Sequence, residues 1–276
     1  GISLKQEGVS YLAGAELPAV VVNIVRSGPG LGGILPAQGD YFQATKGGGH
    51  GDYKTIVLAP ASVQEMYDFV GTGFDLAFKY RMPAMILSDG AIGQMMEKVE
   101  LRPQVQRLTD KEIAEKYGDW ATTGKSGRKA NFISSLALEA RDMEQINLRL
   151  QAKYRLIEET EVLFEKHLCD DAEYLLVAFG SSARICESTV EMARSKGIRM
   201  GLLRPITLFP FPTRIIQAML PQLKGIMSVE LSAGQMVEDI RLAVNGAVPV
   251  EFFGKMGGIV FSPEEVLNAF TAKFNL

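Results

Sequence analysis

The sequence predicts an α/β protein with a mostly parallel sheet in each of two successive units. Short apolar runs alternate with helix-period segments before about residue 95 and again after residue 173. Those runs are continuously apolar, as strands covered on both faces are. Between the two blocks the strand signal disappears. The expected division is a first unit over 1–125, a helical linker over 126–171 and a second unit over 172–276.

In the first block a helix is expected over 3–16. Ser3 and Gln6 have capping-box spacing, Leu4, Tyr11, Leu12 and Ala15 share one face, and Pro18 stops the helix. Strand 19–25 opens into the stretch 25–54, which holds nine glycines, Arg26 and His50, one of two histidines in the chain. Strand 55–59 follows, and Ser62 with Glu65 starts a helix that runs to about residue 81. Pro83 breaks it before strand 84–88. Residues 118–129 read as a polar loop. Residues 133–168 read as a long charged helix, with His167 at its C-terminal dipole.

The second block alternates again: strand 174–179, helix 182–195, strand 199–204, a Pro-rich turn over 204–212 and helix 213–220. Strand 226–230, helix 234–245, strand 249–253 and a last helix from Ser262 complete it. Ser262-Pro263-Glu264-Glu265 is a strong start signal. Position 1 is Gly and helical structure is expected at once, so the chain is expected to be a fragment.

Composition narrows the partners. The chain has 276 residues, 47% hydrophobic and 22% charged, with a net charge of −3, which gives no basic footprint for nucleic acid. No apolar run approaches the roughly 18 residues of a membrane span, and no signal-peptide pattern opens the chain. Two cysteines, Cys169 and Cys186, form no CxxC motif and suggest a reducing, cytoplasmic setting rather than a disulfide framework or metal knuckle.

Several motifs fall short of a chemistry. Gly28-Pro29-Gly30-Leu31-Gly32-Gly33 matches the glycine pattern of a dinucleotide fold after a strand. Pro29 removes a donor, Pro36 and Gly39 interrupt a following helix, and the next strand ends without an acid, so an NAD-dependent dehydrogenase is a poor third reading. Gly118 to Ser126 has the wrong glycine spacing for a phosphate loop. Arg141 with Glu144, and Glu158, Glu159 and Glu161 with Lys166, read as a solvated helix face.

Arg26 carries more. It is the first residue after a buried strand, where open α/β sheets bind ligands. A guanidinium there, followed by bare backbone, suits a carboxylate or phosphate. Equally, it could pair with a structural carboxylate such as Asp40 or Asp52. For His50 the favoured reading is a loop histidine bonded to its neighbour Asp52, over a place beside a reacting group or subunit interface.

Taken together, five stretches resemble the alpha subunit of 2-oxoacid:ferredoxin oxidoreductases, closest to the 2-oxoisovalerate branch. They are Asn23-Ile24-Val25-Arg26-Ser27-Gly28-Pro29-Gly30, the run from Asp40 to Tyr53 with Leu58 to Met66, Ser88-Asp89-Gly90-Ala91-Ile92-Gly93-Gln94-Met95-Met96, and Ser262 to Glu265. The resemblance covers essentially the whole chain. It implies an incomplete thiamine-diphosphate-binding domain of the pyrimidine type, then a transketolase C-terminal-like domain. The implied reaction is oxidative decarboxylation of a 2-oxo acid to an acyl-coenzyme A, with electrons passed to ferredoxin. A beta subunit would hold the diphosphate and Mg²⁺, and ferredoxin-like and gamma subunits would complete an assembly around a homodimer of this chain. The family arginine that binds the substrate carboxylate maps onto Arg26, with Gly28, Gly30 and Leu31 beside it. Gly30-Leu31 stands where 2-oxoglutarate enzymes tend to carry Ser-Thr, so an apolar substrate side chain is expected. An iron–sulfur cubane needs about four thiolates, and this chain has two cysteines, so clusters belong on a partner. The cofactor-activating glutamate is expected in a segment preceding Gly1, which would leave this chain inactive alone. A non-catalytic scaffold subunit is the alternative.

Overall fold

The computed structural model describes residues 1–276 as a set of helices around two sheets. The elements run α1 (Ile2–Gly14), β1 (Ala19–Val25), α2 (Tyr41–Thr45), β2 (Ile56–Leu58), α3 (Val63–Tyr80), β3 (Pro83–Asp89), α4 (Asp110–Tyr117) and α5 (Ala140–Thr160). After these come β4 (Phe164–His167), β5 (Tyr174–Val177), α6 (Gly180–Ser195), β6 (Met200–Pro205), β7 (Thr207–Phe209) and α7 (Thr213–Met219). The chain closes with β8 (Gly225–Glu230), α8 (Met236–Val244), β9 (Val250–Gly254) and α9 (Pro263–Phe274).

The first sheet has the order β1-β3-β2-β7, parallel except for β7, and the second has the order β4-β6-β5-β8-β9, parallel except for β4. Apolar β3 is buried at every residue, as a central parallel strand should be. Its neighbour β1 lies at the sheet edge, so Val22 and Ile24 are exposed while Asn23 and Val25 face inward. Strand β7 belongs to the second block in sequence but pairs with β2 of the first sheet. Leu150, Tyr154 and Ile157 of α5 join one core cluster with Ile56 and Val57 of β2 and Leu175 and Val177 of β5.

Three expectations change. Helix α1 begins two residues earlier than a Ser3 cap requires, with Gly1 preceding it and no side-chain cap. The Ser3 hydroxyl instead accepts from Gln43 Nε2 (3.3 Å), and buried Gln6 holds the Tyr53 hydroxyl (3.2 Å). The helix expected over 133–168 is confined to α5, and Phe164 to His167 form the antiparallel edge strand β4. His167 therefore lies in a strand and not at a helix terminus. The periodicity misled because a short strand carrying Phe, Glu, Lys and His has no apolar alternation of its own and is specified by pairing with β6. Helix α4 was not expected, although Thr109 and Glu112 form a full capping box that starts it. The starts at Ser62 and Ser262 hold: each hydroxyl accepts from the backbone N–H three residues on, and at Ser262 the box is complete.

Two sets of polar contacts fix the sheets against each other. Buried Gln38 donates its backbone N–H to Leu231 O (2.8 Å) and its Nε2 to Phe179 O (2.8 Å), and its Oε1 accepts from Ser182 Oγ (2.8 Å) and Leu231 N (2.9 Å). Beside it, buried Asp89 at the end of β3 accepts from Ser181 Oγ (2.6 Å) and from Ala91 N (2.9 Å). Gly180 sits between them at φ +57, where a Cβ would stand 3.1 Å from Gln38 Nε2. Farther along, buried Arg204 of β6 grips Glu65 of α3 with both Nη atoms (2.9 and 2.5 Å).

Gln38→Ala leaves the Ser182 hydroxyl and the Leu231 N–H without their partner in a buried interface. Chemical denaturation should show a loss of about 3 kcal/mol, the cost of two orphaned buried groups, whereas a surface Gln→Ala such as at Gln104 should change stability by less than about 0.5 kcal/mol.

Candidate functional site

The C-terminal ends of β1 and β3 lie side by side, Val25 opposite Asp89. The Val25 carbonyl accepts from both Gly90 N (3.0 Å) and Ala37 N (3.4 Å), so the two exits and the returning loop meet at one atom. Between them, residues 27–36 form a closed loop. Arg26 bridges Pro36, Ser27 N donates to Leu35 O (2.8 Å) and Gly33 N donates to Ser27 O (3.0 Å). A chain rich in glycine can close so tightly because its backbone approaches itself without side-chain hindrance.

Arg26 is exposed at this mouth. Its guanidinium pairs with no carboxylate, which corrects the expectation of a partner in Asp40 or Asp52. Asp40 instead accepts from Asn23 Nδ2 at 2.9 Å. Arg26 donates to carbonyls of its own loop: from Nη1 to Ser27 O (3.0 Å), Leu31 O and Gly33 O (3.4 Å), and from Nη2 to Gly30 O (3.1 Å). A cleft of about 1030 Å³ opens beside it, walled by residues of α1, by Val22 and Ile24 on the outer side of β1, and by Asn23, Asp40, Gly28 and Gly30. Of the residues expected at the site, Arg26, Gly28 and Gly30 line this cleft together. Leu31 does not; its side chain is 93% exposed at the rim, and its contribution is a carbonyl.

The glycine pattern after β1 does not open onto a helix N-terminus: an irregular loop follows, and α2 starts only at Tyr41. His50 lies elsewhere, in a separate cleft of about 380 Å³ with Ser10, Tyr11 and Tyr53. The expected bond to Asp52 is not made. The His50 carbonyl accepts from Ser10 Oγ, and the Asp52 carbonyl accepts from Gln151 Nε2 (3.0 Å). The loop is thus held by its backbone, which leaves the imidazole no fixed partner.

Sequence reasoning missed the carbonyls of Ser27, Gly30, Leu31 and Gly33 as Arg26 partners, and the Asn23–Asp40 pair in the cleft. The signal for the first was present, since a lone Arg ahead of small residues faces acceptors that no side chain screens.

Residues 1–162 match the family profile of the pyruvate flavodoxin/ferredoxin oxidoreductase, thiamine-diphosphate-binding domain. The chain belongs to this oxidoreductase family. Residues 172–266 match core domain II of pyruvate:ferredoxin oxidoreductase. A relative from Methanothermobacter thermautotrophicus named ketoisovalerate oxidoreductase subunit VorB is 49% identical over 97% of this chain and 74% of its own length. The 2-oxoglutarate synthase subunit KorA of Archaeoglobus fulgidus is 33% identical over 93% of this chain and 73% of its own. Among solved structures, a 2-oxoglutarate:ferredoxin oxidoreductase from Magnetococcus marinus shares the fold with a TM-score of 0.81 at 21% identity, over 99% of this chain. This chain spans 51% of that one.

Both cysteines in this family member are sealed. Cys169 donates to Leu202 O (3.2 Å), and burial pushes its thiol up to about 11. Cys186 is fully buried, and burial raises its thiol further. The thiolate is the reactive form, and a raised value keeps both thiols protonated through neutral pH and releases them only under strong alkali. Iodoacetamide at about pH 8 should label neither cysteine in the native protein and both in denaturant, counted by intact mass; native labelling of Cys169 would contradict its sealed environment.

Proposed function

We propose that the chain is the alpha subunit of a 2-oxoacid:ferredoxin oxidoreductase acting on a branched-chain 2-oxo acid such as 2-oxoisovalerate. The observation that carries this reading is Arg26, an exposed cation with no acidic partner, standing over an apolar-walled cleft at the carboxyl end of a parallel sheet. A guanidinium fork holds a planar carboxylate in register, which places the neighbouring keto carbon toward the cofactor. The grip must stay moderate, because the carboxylate leaves as CO₂ and tight ground-state binding does not speed turnover. Val22 and Ile24 offer apolar surface for an aliphatic substrate side chain. Relatives named for ketoisovalerate are 47–49% identical to this chain, against 31–33% for those named for 2-oxoglutarate synthases.

When bound, thiamine diphosphate supplies the nucleophilic carbon and the electron sink for decarboxylation. The cleft, with Val22 and Ile24 of β1 and the Asn23–Asp40 pair in its wall, fits a flat heterocycle with a polar edge. The diphosphate half of the cofactor site, with its Mg²⁺, is assigned to the beta subunit, as the family resemblance implies. Iron–sulfur clusters go to ferredoxin-like and gamma subunits, with coenzyme A and ferredoxin as co-substrates and a homodimer of this chain at the centre. The proposed division is 1–125 for the pyrimidine-type unit, 126–171 for the linker and 172–276 for the transketolase-like unit, with β4 taken from the linker into the second sheet. No helix is long and apolar enough to cross a membrane, and the proposed setting is cytoplasmic.

In the complex assembled with its partner subunits, Arg26→Ala should lower kcat/KM for 2-oxoisovalerate about 30- to 150-fold, the equivalent of about 2–3 kcal/mol for a lost charge-assisted pair. Viologen reduction across a panel of 2-oxo acids measures it. Unchanged activity would assign the chain the scaffold role instead, and faster turnover of 2-oxoglutarate than of 2-oxoisovalerate would overturn the substrate assignment.

A further inference from the structure

A guanidinium has five N–H donors in a rigid plane. In Arg26 the loop carbonyls of Ser27, Leu31 and Gly33 converge on Nη1, and the carbonyl of Gly30 takes Nη2. These acceptors come from a loop whose own ends are tied, through Ser27 N to Leu35 O and Gly33 N to Ser27 O. Nε has no acceptor in the chain and Nη2 has a single one, which leaves two donors open.

We infer that the loop from Ser27 to Gly33 is a main-chain cradle that orients the Arg26 guanidinium, so that substrate carboxylate is received by the Nε–Nη2 edge alone. This rests on the reading of Arg26 as the carboxylate ligand and assigns the loop a positioning role in that same site. The physical reasoning has two parts. An unsupported Arg on an exposed strand end samples many rotamers, and holding it in one removes an ordering cost from substrate binding. The negative ends of the carbonyl dipoles also share the cation's field, which tempers its pull on a group that must depart. Two remaining parallel donors match the two oxygens of a planar carboxylate.

Gly32 is the keystone. It has φ +48, and a Cβ there would lie 2.0 Å from Ser27 O, the carbonyl that both closes the loop and binds Nη1. Gly33 is a milder probe, because its Cβ would meet only the Ser27 hydroxyl, at 2.8 Å. In the assembled complex, Gly32→Ala should raise KM for 2-oxoisovalerate by about tenfold to a hundredfold, the scale of a small misplacement of a binding group, with kcat at saturation falling much less. Gly33→Ala should raise KM less, and the double variant Ser27→Ala/Gly33→Ala, which removes the obstructing hydroxyl, should restore it. Thermal unfolding of each variant is followed alongside; a restored KM in the double variant identifies the loop geometry as the cause even if Gly32→Ala does not assemble. The inference is overturned if Gly33→Ala and Gly32→Ala keep wild-type KM while Arg26→Ala is impaired. It is also overturned, together with the reading beneath it, if Arg26→Ala is itself unimpaired.

Discussion

The architecture hangs on a buried carboxamide. Gln38 is the point where the loop that leaves β1 returns to the protein, and its side chain and backbone reach the ends of β5 and β8 in the other sheet. An amide has both donors and acceptors, so one residue satisfies a carbonyl, a hydroxyl and an N–H in a place closed to water. Asp89 beside it does the same for the start of α6 through Ser181. The result is that the mouth of the first sheet is registered against the second unit, and Arg26, anchored to Pro36 two residues before Gln38, inherits that placement.

The fold was readable where physics acts locally. Strand β1, strand β3, helix α3 and helix α9 follow from apolar runs, prolines and serine caps, and each lies within a residue or two of where those signals put it. Strands β4 and β7 were illegible for a shared reason. Each is three or four residues long and exists because a neighbouring strand presents an open edge. Pairing partners remote in sequence leave no periodic mark on so short a segment.

At the site, the sequence told which side chain to watch but not what it touches. Arg26 could be singled out as the first residue beyond an apolar strand. The two carboxylates that sequence proximity offered it, Asp40 and Asp52, go unused, because the loop sets its own carbonyls around the guanidinium and Asn23 engages Asp40. Side-chain chemistry is written in the residue letters, and main-chain chemistry is not. A glycine-rich loop therefore conceals its acceptors from any reading of composition, while the family assignment, which draws on the whole pattern, loses nothing by it.

The crossing of β7 has a consequence for how the protein is made. Residues 207–209 pair into the sheet that holds residues 19–25, covering the flank of β2 with chain that belongs to the other unit. A polypeptide emerging from the ribosome cannot finish its amino-terminal half until that late strand has appeared. Cutting the gene between the two matched regions would leave both products with a gap, one lacking a strand and the other carrying it unpaired.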